Sequence, residues 1–376
     1  MKENRFNMKI DVITMQCIRN YGSVLQTYAT QKKLEDAGFD VEIINYYRKD
    51  SVSPKASVET YLADNPKWNS SFIKRLVYRI WKTPVHKRQF EVFGDFLKKY
   101  INLTTNMYFS NEELLVNCPK ADWYCVGSDQ MWNTDYNKGI EEAYYLSFVP
   151  QGEKCFAFST SIGKDSLSQT EAVELKTRIN KFNLISVRER SAQEILTGMG
   201  LKNVEHILDP TLMLPKEQWM KFVQPRSERR KYVLIYQLNK NSNFDVIAEK
   251  FARERQLELL RINLVPENRG LPGKSIYLPS VEEFVSLFYY AEYIITDSFH
   301  GTSFCVNFQK NFAIVKPEKF FTRIESVLNL LGLEERVINS YSELEHLDYD
   351  IEYDQAIKTL CKERKKVDSF INKLRM

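Results

Sequence analysis

The stretch TDSFHGTSF, Thr296–Phe304, follows the apolar run YYAEYII and holds one of only four histidines in the chain. It sets His300 among a carboxylate, several hydroxyls and Gly301, where a strand should give way to a helix. A histidine in that first turn feels the positive end of the helix dipole, which lowers an imidazole pKa, while a bound anion raises it again. His300 is therefore the leading candidate for a proton donor or anion partner. Ser298, Gly301 and Thr302 would line a ligand beside it, and Asp297 or Ser298 should cap the helix. The alternative is a packed histidine in a turn. The other histidines have plainer settings: His86 in a basic linker, His206 in a strand and His346 in an acidic loop.

Other polar loops follow apolar runs in the same way. In RNYGSVLQ, Gly22 lets the backbone approach a ligand and the helix start offers N–H groups to an anion. Asn20 and Gln26 there can read a hydroxyl; an ordinary turn capped by Ser23 is the alternative. In VGSDQMWN, Ser128 and Asp129 sit at a strand exit, where a carboxylate can accept hydroxyl protons. STSIGKDS places Ser161 and Gly163 likewise. In SVRERS, Arg188 can grip a phosphate or carboxylate at two points, or can form a structural ion pair with Glu189 or Asp209. None of these loops is a G-x-G-x-x-G fingerprint or a P-loop. No His/Cys spacing or carboxylate cluster suggests a metal, and no cofactor is expected.

These loops need a scaffold, and the sequence describes one. KIDVITM reads as a strand, SVLQTYATQKKLEDAGF as a helix ending near Gly38, and VEIINYY as a second strand, which is a βαβ unit and implies a parallel sheet. Lys49–Asn69 has two prolines and no period and reads as a loop. Two aromatic, basic helices should follow, at Phe72–Trp81 and along KRQFEVFGDFLKKYI. Their apolar stripe is either core or a surface that meets an acceptor or a membrane face. DWYCV, CFAFST, NLISVR and VEHILD read as further strands. After a Pro-, Lys- and Arg-rich stretch from Leu212 to Arg230, a second series runs through KYVLIYQL, LELLRI, EYIIT and NFAIV. The expected architecture is α/β, with two Rossmann-like doubly wound domains facing across a cleft: an acceptor-side domain at 1–215 and a donor-side domain at 216–350. A C-terminal helix, 351–376, is expected to pack back across the domains.

Composition narrows the class. The chain has 376 residues, is 43% hydrophobic and carries a net charge of +4, as a globular protein does. Its six cysteines are scattered, which suggests reduced, buried thiols. MKENRFNMKIDVITM lacks the apolar core of a signal peptide, and the run Val285–Ile295 is broken by Glu292 and too short to span a bilayer. A cytoplasmic protein, with peripheral membrane contact left open, is expected. No basic–aromatic strand set or recognition helix points to nucleic acid. The oligomeric state is not legible.

RNYGSVLQTYATQKKLEDAGFDVEIINY, VGSDQMWN, STSIG, SVRERS, LDPTLML and ITDSFHGTSF occur in that order, and together they resemble the polysaccharide pyruvyl transferase family from about Lys9 to Leu333. The resemblance implies a GT-B-like fold and transfer of a pyruvyl group from phosphoenolpyruvate to two hydroxyls of a sugar, giving a cyclic ketal. The acceptor would be a polysaccharide sugar or a lipid-linked oligosaccharide. By the same resemblance, His300 matches the family's histidine near the donor and Arg188 the arginine that grips it. Where well-known members carry Arg-Leu-His, this chain has Ser298-Phe299-His300. Arg323, Lys316 or the Gly22 helix start would then have to supply the missing charge. The departure keeps two alternatives in view: a GT-B-like glycosyltransferase with a nucleotide-sugar donor, and a non-catalytic binding protein of polysaccharide assembly.

Overall fold

The structure, a computed structural model, describes residues 8–225, 230–317, 321–347 and 349–376. Residues 1–7 and positions 226–229 of the Pro/Lys/Arg-rich stretch lie outside the described residues. The chain divides into two compact units, Met1–Pro210 with Val367–Met376, and Thr211–Lys366.

The first unit is built on β1 (Lys9–Ile13), β2 (Asp40–Tyr46), β3 (Leu103–Tyr108), β4 (Trp123–Val126), β5 (Cys155–Thr160), β6 (Leu184–Val187) and β7 (Val204–His206). They lie in the order β3-β2-β1-β4-β5-β6-β7, all parallel. The second unit has β8 (Tyr232–Tyr236), β9 (Glu258–Asn263), β10 (Lys274–Tyr277), β11 (Tyr293–Thr296), β12 (Asn311–Val315) and β13 (Val337–Ile338), in the order β10-β9-β8-β11-β12-β13 and again parallel. Central strands such as CFAFST, YVLIY and YIIT are buried at every position. They show no alternation because a parallel sheet is covered on both faces.

In each sheet the first strand lies inside and the chain winds outward in both directions. The order reverses between β1 and β4 in the first unit and between β8 and β11 in the second. In open α/β sheets the crevice at such a reversal, beyond the carboxyl ends of the strands, is where ligands bind.

Several local expectations are corrected. Lys49–Asn69 is not a loop: it holds a short 3-10 turn, the helix Pro54–Asp64 and the short helix Pro66–Asn69. Its period is hard to see because only Val58 and Leu62 of Pro54–Asp64 are buried. The two helices that follow are one, Phe72–Tyr100, running through Pro84. Proline removes one backbone bond there, but Tyr78 before it and Val85, Val92, Phe93, Phe96 and Leu97 after it hold the same helix to the fold. His86 is thus helical, and His346 ends the helix Tyr341–His346. The final helix is Asp354–Asn372. Its residues to 366 group with the second unit and those from 367 with the first. In the first unit Phe370 packs on Phe158 with ring centroids 6.1 Å apart, and the Trp123 indole N–H donates to the Leu374 carbonyl at 3.0 Å. All six cysteines are free thiols, four of them buried. Among the described residues no helix is long and apolar enough to cross a membrane.

Candidate functional site

In the first unit the sequence candidates converge on the reversal between β1 and β4. The helix Tyr21–Asp36 starts there, capped by Asn20, whose side chain accepts the Ser23 N–H at 2.7 Å. Ser23, expected as the cap, instead sends its hydroxyl to the Asp129 carboxylate at 2.8 Å. Gly22 lies buried in the first turn. Gln26 does not present itself to a ligand: it is fully buried, and its amide nitrogen donates to Thr14 Oγ1 and the Ser23 carbonyl, each at 3.0 Å.

Asp129 is the centre of this group. Its backbone is left-handed, with φ of 81°, a conformation that side chains rarely adopt and that concentrates at functional sites. The neighbouring Ser161 N–H donates to its carbonyl at 3.0 Å, and Thr160 bridges to it as an isolated parallel pair. Arg188, at the exit of β6, reaches Asp129 Oδ1 at 3.3 Å, Asp209 Oδ2 at 2.9 Å and Glu189 Oε1 at 3.6 Å. Ser128 donates to Asp209 at 3.2 Å and receives Arg188 Nη1 at 3.3 Å, while Ser161 donates to Glu189. The sequence left two readings of Arg188, and this geometry is that of the ion pair. Burial by itself would pull the guanidinium down, but Asp209, Asp129 and Glu189 together hold it above its ordinary value. Among the described contacts one guanidinium stands among three carboxylates, an acceptor-rich setting that suits hydroxyl groups. Arg188 therefore acts on Asp129, fixing its orientation. Gly163 has a φ of 63°, and a Cβ there would fall 2.6 Å from Gln130 Oε1. It is a close-packing glycine.

In the second unit the candidates gather at the reversal between β8 and β11. The helix Phe299–Phe308 starts there, and of the two caps offered, Asp297 and Ser298, it is Ser298 that accepts the Gly301 N–H, at 3.2 Å. The position where an arginine was expected thus holds the residue that caps the start of the helix. Gly301 is demanded by sterics: a Cβ would meet Thr296 Oγ1 at 2.5 Å. Thr302 is fully buried and its hydroxyl donates back to the Ser298 carbonyl at 3.0 Å, so it serves the helix and does not line a ligand. His300 keeps 9% exposure in the first turn, edge-on to Phe299 with ring centroids 5.1 Å apart. Arg323, from the helix Thr322–Leu331, stands 5.7 Å from the Phe299 ring centroid. The helix start therefore has a cation near it that the sequence could place only by supposition.

Asp297 was read as a possible cap, but it clamps the reversal itself. Its carboxylate accepts the Leu238 and Asn239 backbone N–H groups at 2.7 and 2.8 Å. Burial pushes its carboxyl up, and those N–H groups oppose the shift. Thr296 adds a second tie, donating to the Tyr236 carbonyl at 2.6 Å. These two residues were missed as organisers; their only signal was a Thr-Asp pair at a strand exit. Among the described residues no group of three His, Cys, Asp or Glu side chains is placed to hold a metal ion.

A family model described as polysaccharide pyruvyl transferase matches residues 20–318, from the Asn20 cap that follows β1 through the loop of His300. No curated protein matches the chain. Among solved structures, the UDP-GlcNAc 2-epimerase of Methanocaldococcus jannaschii, in complex with UDP-GlcNAc and UDP, is 13% identical with a TM-score of 0.53, over 96% of this chain and 100% of that one. The S. aureus MnaA–UDP co-structure is 12% identical with a TM-score of 0.52, over 97% and 90%. At such identities the likeness is one of fold alone, a two-domain α/β GT-B-like fold.

Proposed function

The chain belongs to the polysaccharide pyruvyl transferase family, and on that premise we propose that it moves a pyruvyl group from phosphoenolpyruvate to two hydroxyls of one sugar. The sugar would belong to a cell-surface polysaccharide or its lipid-linked precursor, and the product is a cyclic ketal. One hydroxyl oxygen gives up its proton and bonds to C2 of the enol while a proton is delivered to C3, turning the methylene into a methyl. The C2–O bond to phosphate then breaks, the second hydroxyl oxygen bonds to C2, its proton leaves, and inorganic phosphate is released.

This chemistry needs an acid near C3, cations near phosphate and carboxylate, and an acceptor that orients the hydroxyls. We assign His300 as the acid or phosphate partner, Arg323 as the donor's cation, and Asp129 as the hydroxyl acceptor, positioned by Arg188. The observation that carries the donor assignment is Arg323 beside Phe299 at the helix start of His300, which offsets the arginine absent at Ser298. His300→Ala should lose about 10²–10⁴ in rate of phosphate release from phosphoenolpyruvate with a competent acceptor. Full activity in that variant would remove the assignment. Arg323→Ala should abolish thermal stabilisation by phosphoenolpyruvate.

The serine at 298 favours one second reading, a glycosyltransferase with a nucleotide-sugar donor. Ser298 caps a helix start able to face a nucleotide phosphate, and a donor without a carboxylate needs fewer cations. Stabilisation by UDP or CMP, with none by phosphoenolpyruvate, would select it.

A further inference from the structure

The first half of the helix Phe72–Tyr100 is anchored on one face and open on the other. Tyr78 turns inward, stacked on Tyr61 with ring centroids 5.0 Å apart and clustered with Val58, Leu62 and Trp68. On the opposite side Phe72, Ile73, Leu76, Val77 and Ile80 are between 44% and 72% exposed. Their spacing of three and four residues puts them on one stripe, directed away from Tyr78. An apolar stripe of this kind left in water marks an interaction surface.

The charge around it says which kind. Between Asp64 and Glu91 the chain carries seven Lys or Arg residues and no Asp or Glu, in a protein whose whole net charge is +4. Lys74, Lys87 and Arg88 are exposed on this helix. Arg79 is paired with Glu59 of the helix Pro54–Asp64 at 2.8 Å and Arg88 lies 3.8 Å from Glu91, two flanking acids against seven cations. A second copy seated on the same stripe would set like charges against each other, with no acid in the segment to relieve them. An anionic bilayer accepts both features at once. Its acyl boundary takes the apolar side chains, and its phosphates take the long cationic ones, which reach back to the headgroups.

We propose that this stripe is a monotopic membrane-docking face, on which the helix Phe72–Tyr100 lies in the interface of an anionic bilayer. Docking there would hold the enzyme at the surface where lipid-linked substrates are found, but the inference rests on the helix and not on the reaction.

The test is co-sedimentation of the full chain with phosphatidylcholine vesicles containing about a quarter phosphatidylglycerol, against pure phosphatidylcholine. Binding to the anionic vesicles, weakened by salt, is expected. Ile73→Ser with Ile80→Ser, on exposed positions that leave the fold intact by circular dichroism, should cut the partition at least about tenfold. Lys74→Glu with Lys87→Glu should remove the preference for anionic lipid. Wild-type protein that stays in the supernatant, or serine variants that bind as well as wild type, would overturn the proposal. So would a wild-type dimer in sedimentation velocity that the serine pair converts to monomer, because the stripe would then be a contact between copies.

Discussion

Replacing Arg188 with methionine keeps the side-chain volume and deletes the charge at the centre of the first unit's polar cluster. The Arg188 side chain is 0% exposed, as is Asp209, with Asp129 at 9% and Glu189 at 2%. Among the described contacts the wild-type cluster sums one positive and three negative charges, and the variant removes the guanidinium that stands between the three carboxylates. It also loses the bonds to Asp209 at 2.9 Å and Ser128 at 3.3 Å. Removing one partner of a buried ion pair costs about 3–5 kcal/mol, and urea unfolding followed by far-ultraviolet circular dichroism should show a loss in that range. Adding Asp209→Asn returns the net charge to that of the wild type. The double variant should therefore be more stable than the sum of the single losses by about 1–3 kcal/mol. Arg188→Lys should fall between, since one ammonium cannot fork to Asp129 and Asp209 together. A loss below about 1 kcal/mol for Arg188→Met, or strict additivity with Asp209→Asn, would refute the account of Arg188 as the residue that holds Asp129.

Other consequences are open to direct measurement. Gly301→Ala should destabilise by about 1–3 kcal/mol, because the new methyl overlaps Thr296 Oγ1; a gain in melting temperature, as helix propensity alone would give, contradicts the packing. Ser298→Ala should cost about 1 kcal/mol through loss of the helix cap, and Ser298→Gly much less. Asp11 is fully buried in β1, and burial pushes its carboxyl from 3.8 to about 6, with Lys9 only partly opposing. The folded state therefore holds this proton more tightly than the unfolded chain, so stability declines as pH rises from 3.8 towards 6, by up to about 3 kcal/mol. Asp11→Asn should recover much of that at neutral pH and nothing below pH 3.8; equal stability of variant and wild type at pH 7 would count against it.

The alternation of strands and helices was legible because it is written locally. Runs that are wholly or mostly apolar, β-branched or aromatic, such as YVLIY and CFAFST, are buried on both faces, and the runs state this without help from distant residues. The loops at strand exits were legible for the same reason, and with them the region of His300, Asp129 and Arg188. What escaped was written weakly. The edge strands LTTNMY and KSIY are mostly exposed or half-buried and carry little apolar signal. The helix through Pro84 persists because side chains on both sides of the proline pack, which no local rule reports. Partner choice was mostly beyond the sequence, which could offer Glu189 or Asp209 to Arg188 but not Asp129. Ser23 meets Asp129 from 106 positions away and Arg188 meets Asp129 from 59, because parallel strand order brings their exits together. That order settled Arg188 as a partner of carboxylates, Gln26 and Thr302 as buried supports, and Ser298 as a helix cap. Residue types and spacing by themselves named the groups capable of chemistry; only the three-dimensional neighbourhood, through burial and competing hydrogen bonds, decided which of them the fold had already engaged.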